Sequence, residues 1–460
     1  MDRPTRELLA RMPLADAVWG LWRSLTDESA LNDLFEQQRG RCYLKLISFP
    51  LIVQLIADAL MQHGGSAHRT IKTARHEGLL DASAVAVYGK LKRLPIALST
   101  AFLASSTDRL RPLFPQAAAR RPPRSLRRFG IVILDGKAIK RVAKRLGPLR
   151  GTAGGLLGGR ALVALDFQTG LVGAMHAHPD GDANDVRFVP ELLPEVRRRF
   201  PGARLWMADR QFCGLVQMRD FTAAADDHFL VRYHPKVGFH RDRTRLVCRG
   251  RDEHGRKFVE DWGWLGDEKH PDRRYVRRIR LTRPGEEELI LVTDLLEEQK
   301  FPANDLLSLY LERWGIERVF QQVTEVFGLE GLIGGTPEAT VFQFALCLLL
   351  YNQMQLIRAF VAEAQELDCE TISLENLYVD VRRQLTAWTV VVDPVVTGEY
   401  VHSLPPHQLT RRLRRILKDV WSPLWIKAVN KQRRPKPPSA AKRTHSSVHR
   451  ILEKAREGPS

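Results

Sequence analysis

The chain has 460 residues, 44% of them hydrophobic, and a formal charge of +18 at pH 7. Such a length buries a sizeable core and can hold two to four domains, which excludes a chain dominated by disorder. The charge calls for an acidic partner, and residues 407–460 hold 15 Lys and Arg against 3 Asp and Glu, a concentration that argues for nucleic acid.

Residues 1 to about 115 are predicted to be all-helical, with apolar residues such as Leu51, Ile52, Leu55, Ile56 and Leu60 at helical spacing. Within them, residues 66–77, a break at Gly78 and residues 82–93 make a candidate helix-turn-helix presenting Lys90, Lys92 and Arg93. An ordinary helical pair of a bundle has the same pattern. Residues 1–118 are therefore a helical N-terminal region and a candidate DNA-binding one. Ala119-Arg-Arg-Pro-Pro-Arg-Ser-Leu-Arg-Arg128 reads as a basic, Pro-rich linker.

The character changes at Phe129. Ile131-Val-Ile-Leu134 is the fully apolar run of a central strand, ending in Asp135-Gly136. The run Gly151-Thr-Ala-Gly-Gly-Leu-Leu-Gly-Gly159 lacks the Gly-Lys-Ser/Thr ending of a phosphate loop and reads as a flexible link. Residues 161–166 and 171–176 form a predicted hairpin through Gln168-Thr-Gly170. Asp182 or Asn184 can cap a helix running to about residue 200. An apolar strand at 204–208 ends in Asp209-Arg210, and a helix at 215–224 and a strand at 229–233 follow.

Residues 235–295 alternate in β fashion over 245–249, 257–264, 275–282 and 288–293. They read as a small Arg-rich insertion with Trp262 and Trp264 on one strand face. Residues 303–328 read as one long helix: Leu309, Ile316, Val319, Phe320, Val323, Val326 and Phe327 make its apolar face, Asn304 or Asp305 can cap it, and Gly328 can stop it. A strongly apolar helix at 340–358 is expected to pack on the sheet. Residues 356–430 form a helical C-terminal region with helices at 374–385 and 405–419, and residues 431–460 read as a mobile basic tail.

Asp135 and Asp209 close two apolar strands, where ligands gather in α/β sheets. On the 303–328 helix, Tyr310, Arg313, Glu317 and Thr324 fall within about 60° of arc. Alone, Arg313 and Glu317 are an i,i+4 ion pair worth ~0.3 kcal/mol. With the two aspartates, Glu317 completes a hard oxygen-only set suited to Mg²⁺ or Mn²⁺. Two such ions can activate a water or 3′-hydroxyl and stabilise the departing oxygen in phosphodiester cleavage.

Three motifs occur in order on these elements: Leu134-Asp135-Gly136, Ala208-Asp209-Arg210-Gln-Phe212 and Tyr310-x-x-Arg313-x-x-x-Glu317. With Leu291-Val-Thr-Asp294 and Leu348-Leu-Leu-Tyr-Asn352, they resemble the DDE transposases of bacterial insertion sequences. Among these they look most like the Tyr-Arg-Glu-Lys signature group, the family of insertion sequence four. The resemblance spans roughly residues 129–355. It implies an RNase H-like mixed α/β sheet, with the β-rich insertion between the second Asp and the Glu. It further implies metal-dependent cleavage at transposon ends and strand transfer into target DNA.

On that resemblance Asp135, Asp209 and Glu317 would hold Mg²⁺ (or Mn²⁺), as two ions. Tyr310, Arg313 and Arg210 would contact DNA phosphate near the cut. The partner would be double-stranded DNA, both terminal inverted repeats and target, held by a homodimer. The sequence departs from the signature at Thr324, where Lys is expected, and Lys137 replaces a small hydroxyl residue. Trp262 and Trp264 could stack on a base flipped from the transposon end, or pack the inner face of the insertion. His176-x-His178-x-Asp180 has metal-like spacing, but it reads rather as a strand end running into a polar loop than as a transition-metal site.

The five cysteines, Cys42, Cys213, Cys248, Cys347 and Cys369, are scattered and contain no Cys-x-x-Cys pair. They exclude an obvious zinc module or disulfide framework and suit a reducing cytosol. No signal-type apolar core follows the N-terminus, and the longest apolar run, at residues 344–350, is shorter than the ~20 residues that span a bilayer. No membrane partner is expected. Two other functions compete: a nuclease of the same fold that cuts without joining, and a non-catalytic DNA-binding protein derived from a transposase. The presence of all three carboxylates argues against the latter.

Overall fold

The computed structural model describes residues 3–42, 47–63, 66–140, 142, 144, 146–327, 334–392, 397, 403–428 and 444–457. Its centre is a mixed, mostly antiparallel sheet. The strands are β1 (Gly130–Lys140), β2 (Gly155–Asp166), β3 (Val172–His178), β4 (Arg204–Ala208), β5 (Asp227–Arg232), β6 (Phe239–Arg241), β7 (Cys248–Arg251), β8 (Lys257–Leu265), β9 (Arg274–Leu281), β10 (Leu289–Thr293) and β11 (His445–Ser447). Their order is β11-β2-β1-β4-β5-β10-β9-β8-β6, with β3 also paired to β2 and β7 to β8. β1, β4 and β5 run parallel to one another, while β2 is antiparallel to β1 and to β3. The insertion is thus no separate layer. Its last strand, β10, pairs antiparallel with β5 and carries the sheet onward.

Period-two alternation sends neighbouring side chains of each strand to opposite faces. Ile131, Ile133, Leu205 and Met207 enter one core, with the N-terminal helices and the Pro337–Ala364 helix. Val132, Leu134, Trp206 and Ala208 enter a second core, beneath the Val189–Arg199 and Leu215–Phe221 helices. Apolar runs without alternation follow from this double burial.

The Pro337–Ala364 helix is the hub. By length and composition it could cross a bilayer, but its whole apolar window is buried inside the protein. Asn352 Nδ2 donates to Thr107 Oγ1 and to the Val172 carbonyl, each at 2.9 Å, and its Oδ1 accepts from Val172 N–H at 2.8 Å. Tyr351 Oη donates to the Gly170 carbonyl at 3.1 Å. Buried polar groups of this kind need such partners, so the Tyr351-Asn352 pair joins helices to the β2–β3 hairpin.

Several expectations are corrected. The glycine-rich stretch is no flexible link: β2 begins at Gly155. A Cβ at Gly158 would meet Thr340 Oγ1 at 2.5 Å, so glycine lets the hub helix approach the strand. The basic stretch 119–128 is pinned, with Ser125 Oγ donating to Asp305 Oδ2 at 2.6 Å. Lys90 is buried over the Phe35 ring, 4.4 Å from its centroid, and does not present itself to DNA, whereas Lys92 and Arg93 are exposed. Residues 445–457 of the expected mobile tail are built into the fold: β11 adds parallel to β2 and leads into a Val448–Glu457 helix whose Arg450 pairs with Asp180 at 2.8 Å. Residues 429–443 lie outside the described residues, as does Gly328.

Candidate active site

Asp135 follows the last residue of β1 that pairs with β4, in the register Leu134↔Ala208. Asp209 follows the last residue of β4, so the two aspartates stand side by side on parallel neighbours. β1 itself runs on to Lys140, so Asp135 lies within the strand and not at its end. Alternation puts both carboxylates on the face that packs against the 303–325 helices.

The expected long helix is two. Ala303–Leu311 and Gly315–Glu325 are α-helical, and Glu312–Trp314 between them is a 3₁₀ turn. The tighter turn, with its different advance per residue, swings Arg313 inward until it is 5% exposed. Its Nη2 donates to Glu317 Oε1 at 2.9 Å, and its Nη1 lies 3.8 Å from Asp135 Oδ2. Its Nε and Nη1 are buried without a hydrogen-bond partner. Burial works against the charge, yet Tyr310, Asp135, Asp209 and Glu317 together hold its pKa above the ordinary value. Arg313 thus sits among all three carboxylates.

Burial pushes Asp135 up to about 6; Arg313 and the Gly136 N–H, 2.9 Å from Oδ1, hold it down, and Glu317 and Asp209 add to the rise. Asp209 Oδ1 accepts from Arg210 N–H at 2.6 Å. Tyr310 is 4% exposed and its hydroxyl donates to the Ala208 carbonyl at 3.2 Å. The phenol therefore fixes the end of β4 beside Asp209, and burial raises its pKa.

A cavity of about 490 Å³ opens beside the carboxylates, lined by Asp135, Lys137, Lys140, Glu317, Gln321 and Thr324. Lys137 lies 5.5 Å from the Phe320 ring centroid. Thr324 Oγ1 donates to its own helix, at 2.7 Å from the Phe320 carbonyl. Positive charge reaches this cavity from β1, not from position 324. Arg210 has a half-exposed side chain 3.8 Å from Glu287.

The other sequence candidates separate. Trp262 is 1% exposed and its Nε1 donates to the Leu296 carbonyl at 3.0 Å, so it is a core residue unable to stack on a flipped base. Trp264 is 39% exposed, with Arg273 4.6 Å from its ring centroid. His178 stacks on Phe188, and its Nδ1 accepts from Asp180 N–H at 3.1 Å, as a strand end would.

Asp185 was missed by sequence reasoning. It is buried, its Oδ2 accepts from Arg160 Nη2 at 2.8 Å, and its Oδ1 has no partner. A Cβ at Gly136 would fall 1.4 Å from that Oδ2. The Asp-Gly motif therefore needs its glycine to seat Asp185 against the backbone beside Asp135. Its only local signal was the Asn184 cap one residue earlier.

The donor set suits a hard divalent cation in chemistry, since all three groups are carboxylates. In spacing it is not closed: among the described residues no group of three His, Cys, Asp or Glu stands close enough to hold a metal. The Arg313 guanidinium stands between Asp135 and Glu317 instead.

Residues 128–353 match the family described as Transposase DDE domain. That segment, 226 of the 460 residues, holds the three carboxylates, Arg313 and the lysines of the cavity. No curated protein matches the chain. Among solved structures, a piggyBac transposase synaptic complex with hairpin DNA, determined by cryo-EM, is similar at a TM-score of 0.42 and 9% identity, covering 88% of this chain and 85% of that one.

Proposed function

We propose that the protein is a DDE transposase, cutting DNA at the ends of a mobile element and joining them to target DNA. One observation carries this reading. Asp135, Asp209 and Glu317 come from three separate elements to one sheet face around Arg313, inside the segment that matches a transposase DDE domain. The strand order β3-β2-β1-β4-β5 with β1, β4 and β5 parallel supports an RNase H-like description of the centre. The Tyr310, Arg313, Glu317 spacing supports placement in the insertion-sequence-four group.

Asp135, Asp209 and Glu317 would hold Mg²⁺ or Mn²⁺, as two ions. Bound there, such ions would supply a nucleophilic oxygen at neutral pH and stabilise the departing one. Arg313 engages only Oε1 of Glu317, so a metal would be held through Oε2 or after that bond is released, in which case the guanidinium would be free to meet a phosphate oxygen. Lys137 and Lys140 line the approach and, with Arg210, would bind the DNA backbone; Trp264 offers an exposed ring for an unstacked base. Tyr310 acts from below, holding the end of β4. Joining two ends calls for two protomers, so a homodimer on DNA is part of the proposal.

A non-catalytic DNA-binding descendant is the second reading. It is favoured by Thr324, uncharged and bonded to its own helix. The deciding experiment is cleavage of DNA carrying the repeats that flank the gene, with Mg²⁺, by wild type and Glu317→Gln. Cleavage at the repeat ends that Glu317→Gln abolishes is the expected result. Binding without cleavage by wild type selects the second reading, and cleavage without joining selects a nuclease.

A further inference from the structure

On the other side of the Gly315–Glu325 helix from Glu317 lies a second cavity, of about 210 Å³. It is walled by Ile133 of β1, the β2–β3 hairpin and the hub helix, and Arg120, Arg318, Arg358 and Lys427 all line it. The four cations converge on one carboxylate, Glu370. Arg358 Nη2 is 2.7 Å from it, Lys427 Nζ 3.1 Å, Arg318 Nη1 3.3 Å, and Arg120 is also paired with it. Arg120 has a second acid, the half-exposed Glu312, at 3.7 Å. Counting Glu312, two positive charges remain uncompensated.

Asp166 also lines the cavity but does not balance them. Its carboxylate accepts from Gln168 N–H and Thr169 Oγ1 of its own turn, and burial raises its pKa. Arg358, 4% exposed, keeps an Nε with no hydrogen-bond partner. Burial pushes the Lys427 ammonium below its ordinary pKa, and Arg358 and Arg318 push it further against the pull of Glu370. Arg358 and Arg120, 4% and 18% exposed, already set two positive charges against Glu370 inside the cavity, and Arg318 and Lys427 add two more at its mouth; such an excess of like charge is costly unless an anion or solvent completes it. The mouth is open, since the side chains of Arg318 and Lys427 are 52% and 34% exposed. The space exceeds the ~30 Å³ share of one water several-fold, enough for a tetrahedral anion with its waters.

We propose that this cavity is a phosphate-binding site that takes a backbone phosphate of the DNA substrate. The assignment to DNA rests on the transposase reading. Its position supports that: Arg318 follows Glu317 directly, and Ile133 is two residues, about 7 Å along the strand, from Asp135. A strand whose scissile phosphate lies at the carboxylates passes close by. Arg guanidinium forks match phosphate oxygens, and three of the four cations are arginines. Glu370 holds the site together when no DNA is bound.

The test uses the full chain, inorganic phosphate and a duplex carrying the element end. Wild type should gain thermal stability from phosphate over chloride of equal ionic strength. Arg318→Ala with Lys427→Ala should lose that gain while keeping its melting temperature in chloride. The slope of log affinity for the duplex against log salt should fall by about 1 in the double variant, the share of one phosphate. Glu370→Gln should respond to phosphate more strongly than wild type, because the anion replaces the missing carboxylate.

An equal phosphate response in wild type and double variant, or none in either, overturns the site and leaves an ion-pair cluster. A Glu370→Gln chain that is destabilised yet gains no extra response does the same. A phosphate response lost with an unchanged duplex slope overturns the DNA assignment and leaves a free-anion site. None of these readouts needs cleavage. A chain that never cuts DNA but shows the slope change removes the transposase chemistry and keeps the pocket.

Discussion

Arg313 Nη2 donates to Glu317 Oε1 at 2.9 Å, and the same guanidinium faces Asp135. An i,i+4 pair on an exposed helix is worth a few tenths of a kcal/mol. Here the arginine is nearly buried, and its removal leaves the largely buried Asp135 without its counter-charge, while Glu317, 38% exposed, keeps much of its hydration. Arg313→Ala is expected to lower unfolding free energy by about 3 kcal/mol in the absence of divalent ions. Urea unfolding checks this, and Mg²⁺ should restore more stability to the variant than to wild type.

Asp135 makes stability depend on pH. Its folded pKa is raised from 3.8 to about 6, mainly by burial. A raised carboxyl favours folding below about pH 4, and that contribution disappears as pH rises through 6. Asp135→Asn, uncharged throughout, should therefore exceed wild type in stability at pH 8 by on the order of 2 kcal/mol. The advantage should vanish near pH 4. Unfolding midpoints at the two pH values, without metal, decide the matter; an equal difference at both refutes the burial argument.

Gly136→Ala should be severe. The new methyl would meet the Asp185 carboxylate, which is also held by Arg160. Displacing it costs about 1–3 kcal/mol as overpacking. Adding Asp185→Ala should recover part of the loss, a non-additivity expected of residues in contact, measurable as a double-mutant cycle in urea.

The two tryptophans should part company. Trp262→Ala removes a fully buried ring and should cost about 3–5 kcal/mol, read as a shift in the urea midpoint. Trp264→Ala should leave that midpoint within the equivalent of about 1 kcal/mol. If its ring stacks on a base, affinity for a frayed duplex end should weaken by roughly 1–3 kcal/mol, and unchanged affinity would remove Trp264 from the DNA surface.

The elements from β1 to β5 were legible because apolar runs and turn residues are encoded within a few positions of one another. So were the positions of the three carboxylates: Asp135 and Asp209 follow the apolar runs 131–134 and 204–208, and Glu317 stands beside the apolar face of Ile316 and Val319. The 303–325 stretch shows where local pattern stops. Its apolar face steps from Leu309 to Ile316 across Glu312-Arg313-Trp314, and there the backbone tightens to a 3₁₀ turn that brings Arg313 to Asp135, 178 positions earlier.

By itself, then, the sequence determined periodicity, order of elements and chemical types: a mixed α/β chain, basic, with an Asp, Asp, Glu set in order. Only the tertiary structure decided burial and meeting. It placed Trp262 inside and Trp264 outside on one strand, sank Lys90 onto Phe35, and drew Gly155–Gly159 into β2 to let Thr340 approach. It also carried the last described residues back to β2 and gathered four cations around Glu370. The reason is physical: a residue's neighbours in sequence set its backbone preference, whereas its exposure and charge environment are set by segments up to hundreds of positions away.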